Sequence, residues 1–122
     1  MVSFAQIRRT DKLLFAENCP TRTVLDHVMS KWGVLVLLSL TDGVVRWGQL
    51  RRSVDGISEK MLASTLKTLE ADGFVQRTAY PEVPPRVDYR LTPLGEELME
   101  RMGPLVEWIA VRAGDIVPSG AA

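Results

Sequence analysis

The chain has one cysteine, Cys19, so no intramolecular disulfide can form. It has one histidine, His27, so no Cys/His framework for zinc can be assembled. Such sparse thiol usage fits a reducing compartment. Long hydrophobic runs are missing too: the longest, Val34 to Leu38, is far below the ~20 residues that a spanning helix needs. The N-terminus lacks the basic-then-apolar pattern of a signal peptide. A cytoplasmic protein with no membrane partner is expected. Net charge is zero, with fifteen Lys/Arg against fifteen Asp/Glu, and by itself argues for neither nucleic acid nor an acidic substrate. There is no visible nucleophile–base pair, metal cluster or phosphate-cradling glycine loop, so the expectation is no enzyme and no cofactor.

What is present is enough apolar material for one core. At 122 residues and 46% hydrophobic, the chain suits one domain rather than two. Its charge is unevenly placed: residues 46–90 hold eight Lys/Arg against six acids, and 91–122 hold two against five. A mildly basic middle is therefore followed by an acidic end.

Phe4 to Ala16 carries a loose helical pattern. Pro20 suits a first helical position, and Val24, Leu25, Val28 and Met29 give the next segment one apolar side. Lys31 to Leu40 is apolar nearly all round; its length is compatible with a buried helix, and its β-branched residues leave a strand open. After a scrap of β character at Val44–Trp47, Gly48 to Val54 forms one short helix, broken at Asp55-Gly56. Ser58 is an N-cap, and its helix runs to Asp72 with Met61, Leu62, Leu66 and Leu69 on one face before Gly73 stops it. Phe74–Ala79 and Val87–Leu91 read as strands of a hairpin joined by seven residues that include Pro81, Pro84 and Pro85. Thr92-Pro93 opens a last helix of about 20 residues, which Gly103-Pro104 should bend or interrupt.

Helix, helix, turn, helix, hairpin, helix is the order of a winged helix-turn-helix, mainly α with a small β-hairpin. Such a fold must bury one face of its second helix and offer the other to the major groove. Lys60, Ala63, Ser64 and Lys67 recur at i, i+3, i+4, i+7 and share a face free of acids. There small residues permit close approach, Ser64 can bond a base edge and the lysines can meet phosphate or guanine. Ser58 joins this group as the cap. Arg86, on the proline-stiffened wing, is placed to reach a minor groove, or to pair with Glu82 or Asp88 instead. Arg77 and Arg90 on the strands, and Arg51 and Arg52 on the preceding helix, are candidates for flanking phosphates. His27 has no second ligand nearby and is most simply structural, and Trp32 and Trp47 are most simply packing residues.

Four blocks together are similar to the HxlR-type transcriptional regulators. They are Cys19-Pro20 leading to Lys31-Trp32, Trp47-Gly48-Gln49-Leu50-Arg51-Arg52, Gly56 through Gly73, and Tyr80-Pro81-Glu82-Val83-Pro84-Pro85-Arg86-Val87-Asp88-Tyr89. Met29-Ser30 stand where the family usually has two glycines, and Trp47 where it has Phe. Ala63, Ser64 and Thr65 replace its usual Thr and Gln residues, so base preference does not carry over. The resemblance implies a dimeric winged-helix DNA-binding regulator with MarR-like architecture. It also marks Cys19 as a candidate sensor of oxidants or electrophiles. The positive end of the following helix would activate its thiol; a buried cysteine that only packs is the alternative.

The expectation is a homodimeric, sequence-specific regulator bound to a pseudo-palindromic DNA operator, with a small-molecule or oxidant effector left open. The alternative is a winged-helix protein-interaction module that binds no DNA. Within the single domain 1–122, residues 1–16 form an N-terminal dimerisation segment, 17–92 the winged-helix core, 93–112 a C-terminal dimerisation helix and 113–122 a tail. Dimer contacts are expected from Phe4–Phe15 and Leu94–Ile109, with Leu98 and Met102 as the positions whose change to Asp should give monomers.

Overall fold

The structure, a computed structural model, describes residues 3–10 and 19–118. Helix α1 (Phe4–Thr10) occupies the start of the expected N-terminal helix; Leu13, Leu14 and Phe15 lie outside the described residues. Helix α2 (Pro20–Val28) begins at its proline behind Cys19, which adopts extended N-cap geometry without a side-chain capping bond. Ser30 caps α3 (Lys31–Ser39), its hydroxyl accepting from Gly33 N at 3.1 Å. The choice left open for 31–40 resolves to a helix, because its apolar sides are packed in several directions: Val36, Leu37 and Leu40 are fully buried, and α5 and α6 both press on it.

Strand β1 (Val45–Arg46) leads directly into α4 (Trp47–Ser53). Gly56 then takes the left-handed conformation, φ 85°, that lets the chain turn sharply into α5 (Glu59–Ala71). Ser58 caps α5, accepting from Met61 N at 3.0 Å. Leu62, Leu66 and Leu69 are buried, but Met61 is 42% exposed and does not share their face. Strands β2 (Val75–Tyr80) and β3 (Arg86–Leu91) form the hairpin, with Tyr80 opposite Arg86 as its outermost rung. The connecting loop is therefore Pro81–Pro85, shorter than expected. The hairpin also gains a third strand: Val45 and Arg46 pair with Tyr89 and Asp88, giving an antiparallel sheet in the order β1-β3-β2.

Thr92 caps α6 (Pro93–Ile116) through Gly95 N at 3.1 Å. This helix is 24 residues long, passes through Pro104 without interruption and continues into the expected tail. Proline removes one backbone donor, but Pro104 and Glu100, whose carbonyl loses that bond, both lie on the exposed side where water replaces it. Met99 and Met102 are buried against the core, so Met102 supports its own protomer rather than an outer surface. His27 also has a partner: its Nδ1 lies 2.6 Å from Asp72 Oδ2, tying α2 to the C-cap of α5.

Candidate nucleic-acid interface

Helix α5 is held by its leucines, and that fixes what it shows. With Leu62, Leu66 and Leu69 buried, Lys60, Ala63, Ser64 and Lys67 are all exposed, and no acid interrupts them. Neither lysine has an ion-pair partner among the described residues. Ser58 is exposed at the head of the helix with its oxygen engaged by Met61 N. Arg51 reaches across the turn to Glu59, with Nη1 and Oε1 3.4 Å apart. Both groups are more than half exposed, so this pair is weak and can be exchanged for a phosphate. Arg52 is exposed on the same helix.

The period of two along the hairpin separates the strand arginines. Arg77 stands opposite Tyr89, whose ring lies 6.5 Å from that of Trp47, so Arg77 belongs to the face of the sheet turned toward α5. Arg90 and Arg86 stand opposite Gln76 and Tyr80 on the other face. Arg90 donates from Nε and Nη2 to Gln76 Oε1 at 3.1 and 2.8 Å. Arg86 is folded back on the wing. Its Nη1 lies 3.5 Å from Glu82 Oε1, its Nε 3.6 Å from Asp88 Oδ1, and its guanidinium 4.0 Å over the Tyr80 ring. Only 28% of the side chain is exposed. Both pairings left open by the sequence are thus made at once, and the guanidinium sits at the base of the wing.

What the wing presents at its tip is apolar. Val83 is 100% exposed between Pro81 and Pro84-Pro85. Sequence reasoning passed over it in favour of the neighbouring charge, although an aliphatic residue set among prolines was the available signal. Cys19 is 3% exposed, buried at the N-terminus of α2. Among the described residues no group of His, Cys, Asp and Glu is arranged to hold a metal.

Residues 27–115 match the family described as HxlR-like helix-turn-helix. The chain is 53% identical over 104 residues to the uncharacterized HTH-type transcriptional regulator YtfH of Escherichia coli K12, covering 85% of this chain and 82% of that one. A solved structure of ytfH from Salmonella typhimurium is 52% identical, covering 85% of this chain and 93% of the other with a TM-score of 0.81. The redox regulator HypR in its reduced form is 34% identical, covering 80% and 97% with a TM-score of 0.72. Diamide-treated YodB from B. subtilis is 32% identical, covering 77% and 94% with a TM-score of 0.65.

Proposed function

The chain belongs to the HxlR-like helix-turn-helix family of transcriptional regulators, and on that premise we propose that it acts as a homodimer on a pseudo-palindromic DNA operator. The observation that carries this reading is the exposed, acid-free face of α5. Lys60 and Lys67 are assigned to phosphate or guanine, Ser64 to a base edge, Ala63 to close approach of the backbone, and Ser58 to the helix end nearest the groove. Arg51, Arg52 and Arg77 flank this face as phosphate contacts, and Arg90, on the opposite face of the sheet, is assigned to phosphate on the far side of the wing. Arg86 stiffens the wing from within and offers a minor-groove contact only by exchanging its carboxylate partners. Two recognition helices one helical turn apart predict half-sites about 34–36 Å apart or a multiple of that.

We place it in the cytoplasm, where a bacterial-type regulator of transcription meets its DNA; among the described residues no helix is long and apolar enough to cross a membrane. Cys19 is assigned a thiol response. HypR and YodB, both similar in structure, have been solved under differing redox conditions, and the thiol here borders a helix N-terminus.

Fluorescence anisotropy on DNA upstream of the protein's own gene, at several salt concentrations, tests the reading. Affinity should fall steeply with salt, and Lys67→Ala should reduce the log–log slope by about one. Salt-insensitive behaviour without DNA affinity would favour the protein-interaction module instead. With a thiol oxidant added, binding should fall in the wild type and not in Cys19→Ser.

A further inference from the structure

Arg86 is held at two edges, and the two holds differ. Its Nε faces Asp88 Oδ1 at 3.6 Å, where both atoms are buried and neither makes a hydrogen bond among the described residues. Asp88 is only 17% exposed, so releasing that edge would strand a largely buried carboxylate. The other edge is looser. Nη1 lies 3.5 Å from Oε1 of Glu82, whose side chain is 50% exposed, and a charge-assisted hydrogen bond would bring such atoms to about 2.7–2.9 Å. Ion pairs this exposed contribute little. Glu82 is nevertheless fixed in place, because Pro81 precedes it and its N–H donates to the Tyr80 carbonyl at 2.8 Å. Beside this edge a cleft of about 350 Å³ opens between the wing and the start of α4. Arg46 and Arg86 border the cleft, and Glu82 is the one acid among its lining residues. Arg46 is exposed and has no ion-pair partner among the described residues.

We propose that Glu82 limits the affinity of the wing for DNA: it stands in for a backbone phosphate bordering the minor groove, holds the Nη edge of Arg86 in the free protein, and is displaced when DNA binds. The inference rests on the DNA-binding reading. A guanidinium suits phosphate because two of its N–H groups can donate to one anion in parallel. Asp88 and the Tyr80 ring, 4.0 Å from the guanidinium, keep the rest of Arg86 in place during the exchange, so little ordering is lost on contact. What is given up is a weak, exposed ion pair, and what is gained is a charge-assisted contact. Phosphate carries no base information. Glu82 therefore weakens binding to every sequence alike, and discrimination is left to the exposed face of α5.

Fluorescence anisotropy of the full-length protein, on the upstream DNA and on a scrambled duplex of equal length at several salt concentrations, tests this. Two variants at the half-exposed position 82 leave the core untouched. Glu82→Gln removes the charge and should tighten binding to both duplexes by about threefold to fivefold, the most that an exposed ion pair can withhold. It should also steepen the log–log salt slope by about one, as one more phosphate contact requires. Glu82→Asp keeps the charge but shortens the reach to Arg86, and the backbone fixed by Pro81 and Tyr80 cannot follow. It should still tighten both duplexes, by about twofold. Simple repulsion between an acid and DNA would leave Glu82→Asp like the wild type, and that result beside a tighter Glu82→Gln overturns the clamp. Unchanged or weaker binding by Glu82→Gln overturns the proposal outright, and a gain confined to the upstream DNA overturns the assignment to phosphate. A wild type without affinity for either duplex at any salt overturns the DNA-binding reading itself.

Discussion

Gly95 stands in the first turn of α6, where alanine would ordinarily be favoured by about 1 kcal/mol. A Cβ there would lie 2.2 Å from the Phe74 carbonyl oxygen, which already accepts from Thr92 N at 3.0 Å. Backbone cannot yield as a flexible side chain does, so the contact outweighs the propensity. Gly95→Ala should cost about 1–3 kcal/mol and lower the melting temperature by several degrees. Gly114, near the end of the same helix, has nothing within 4 Å of an added Cβ. There the substitution should leave the protein as stable or raise stability by up to about 1 kcal/mol. Thermal melts of the two variants check the opposed signs, and equal losses would count against the close approach of α6 to the Phe74 backbone. The capping role of Thr92 was legible beforehand because it depends on residues that follow at once. The requirement at Gly95 was not, since it is set by a carbonyl 21 positions earlier. Arg86 falls between these cases: its partners are close in sequence, but only the hairpin register shows that Glu82, Asp88 and Tyr80 all meet it together.

At the scale of elements, helical periodicity identified α5 and its outward face, and erred by one position at Met61. That residue follows the apolar pattern but stands about 100° round the helix from Leu62, and burial centres on Leu62, Leu66 and Leu69. Helix α6 shows the opposite failure, in which a local rule was overridden. Proline in a helix interior costs about 3 kcal/mol, yet α6 runs on through Pro104 to Ile116 because Met99 and Met102 anchor the preceding turns. A continuous helix carries that penalty in the folded state, so relieving it should be visible. Pro104→Ala is predicted to raise stability by up to about 3 kcal/mol with little gain in helical circular dichroism. A helix broken at this point would instead gain helical signal with little change in stability. The two strand residues of β1 were too few for periodicity to register, and their pairing with β3 follows from the placement of α4 rather than from their own composition.

For the whole molecule, the apolar residues left uncovered bear most on its assembly. Phe4 and Ile7 on α1, and Leu105, Trp108, Ile109, Val111 and Ile116 on the far half of α6, are all exposed. Leu105, Trp108, Ile109 and Ile116 share one side of α6 by helical spacing, and an exposed apolar stripe of this kind is uncommon on a soluble monomer and marks an interaction face. The same terminal elements were expected to form the dimer, but the structure changes which substitutions can test it. Met102 is 6% exposed within its own protomer and Leu98 packs partly against the same core. Aspartate at Met102 would bury an unpaired charge and unfold the chain, and loss of a dimer would then report nothing about the interface. Leu105 and Ile109 are one helical turn apart on exposed ground, and both can change without disturbing the core. Leu105→Asp combined with Ile109→Asp is predicted to sediment as a folded monomer, with native helical content at concentrations where the wild type is dimeric. The wild type should also melt at a temperature that rises with protein concentration, as linkage between folding and association requires, and the double variant should not. Two recognition helices on one particle are what the proposed pseudo-palindromic operator would demand. The monomer should therefore lose most of its affinity for the full site while keeping the salt-dependent binding of a single half-site. A double variant that remains dimeric would place the interface elsewhere, and the exposed side of α2, with Val24, Leu25 and Met29, would then be the next surface to change.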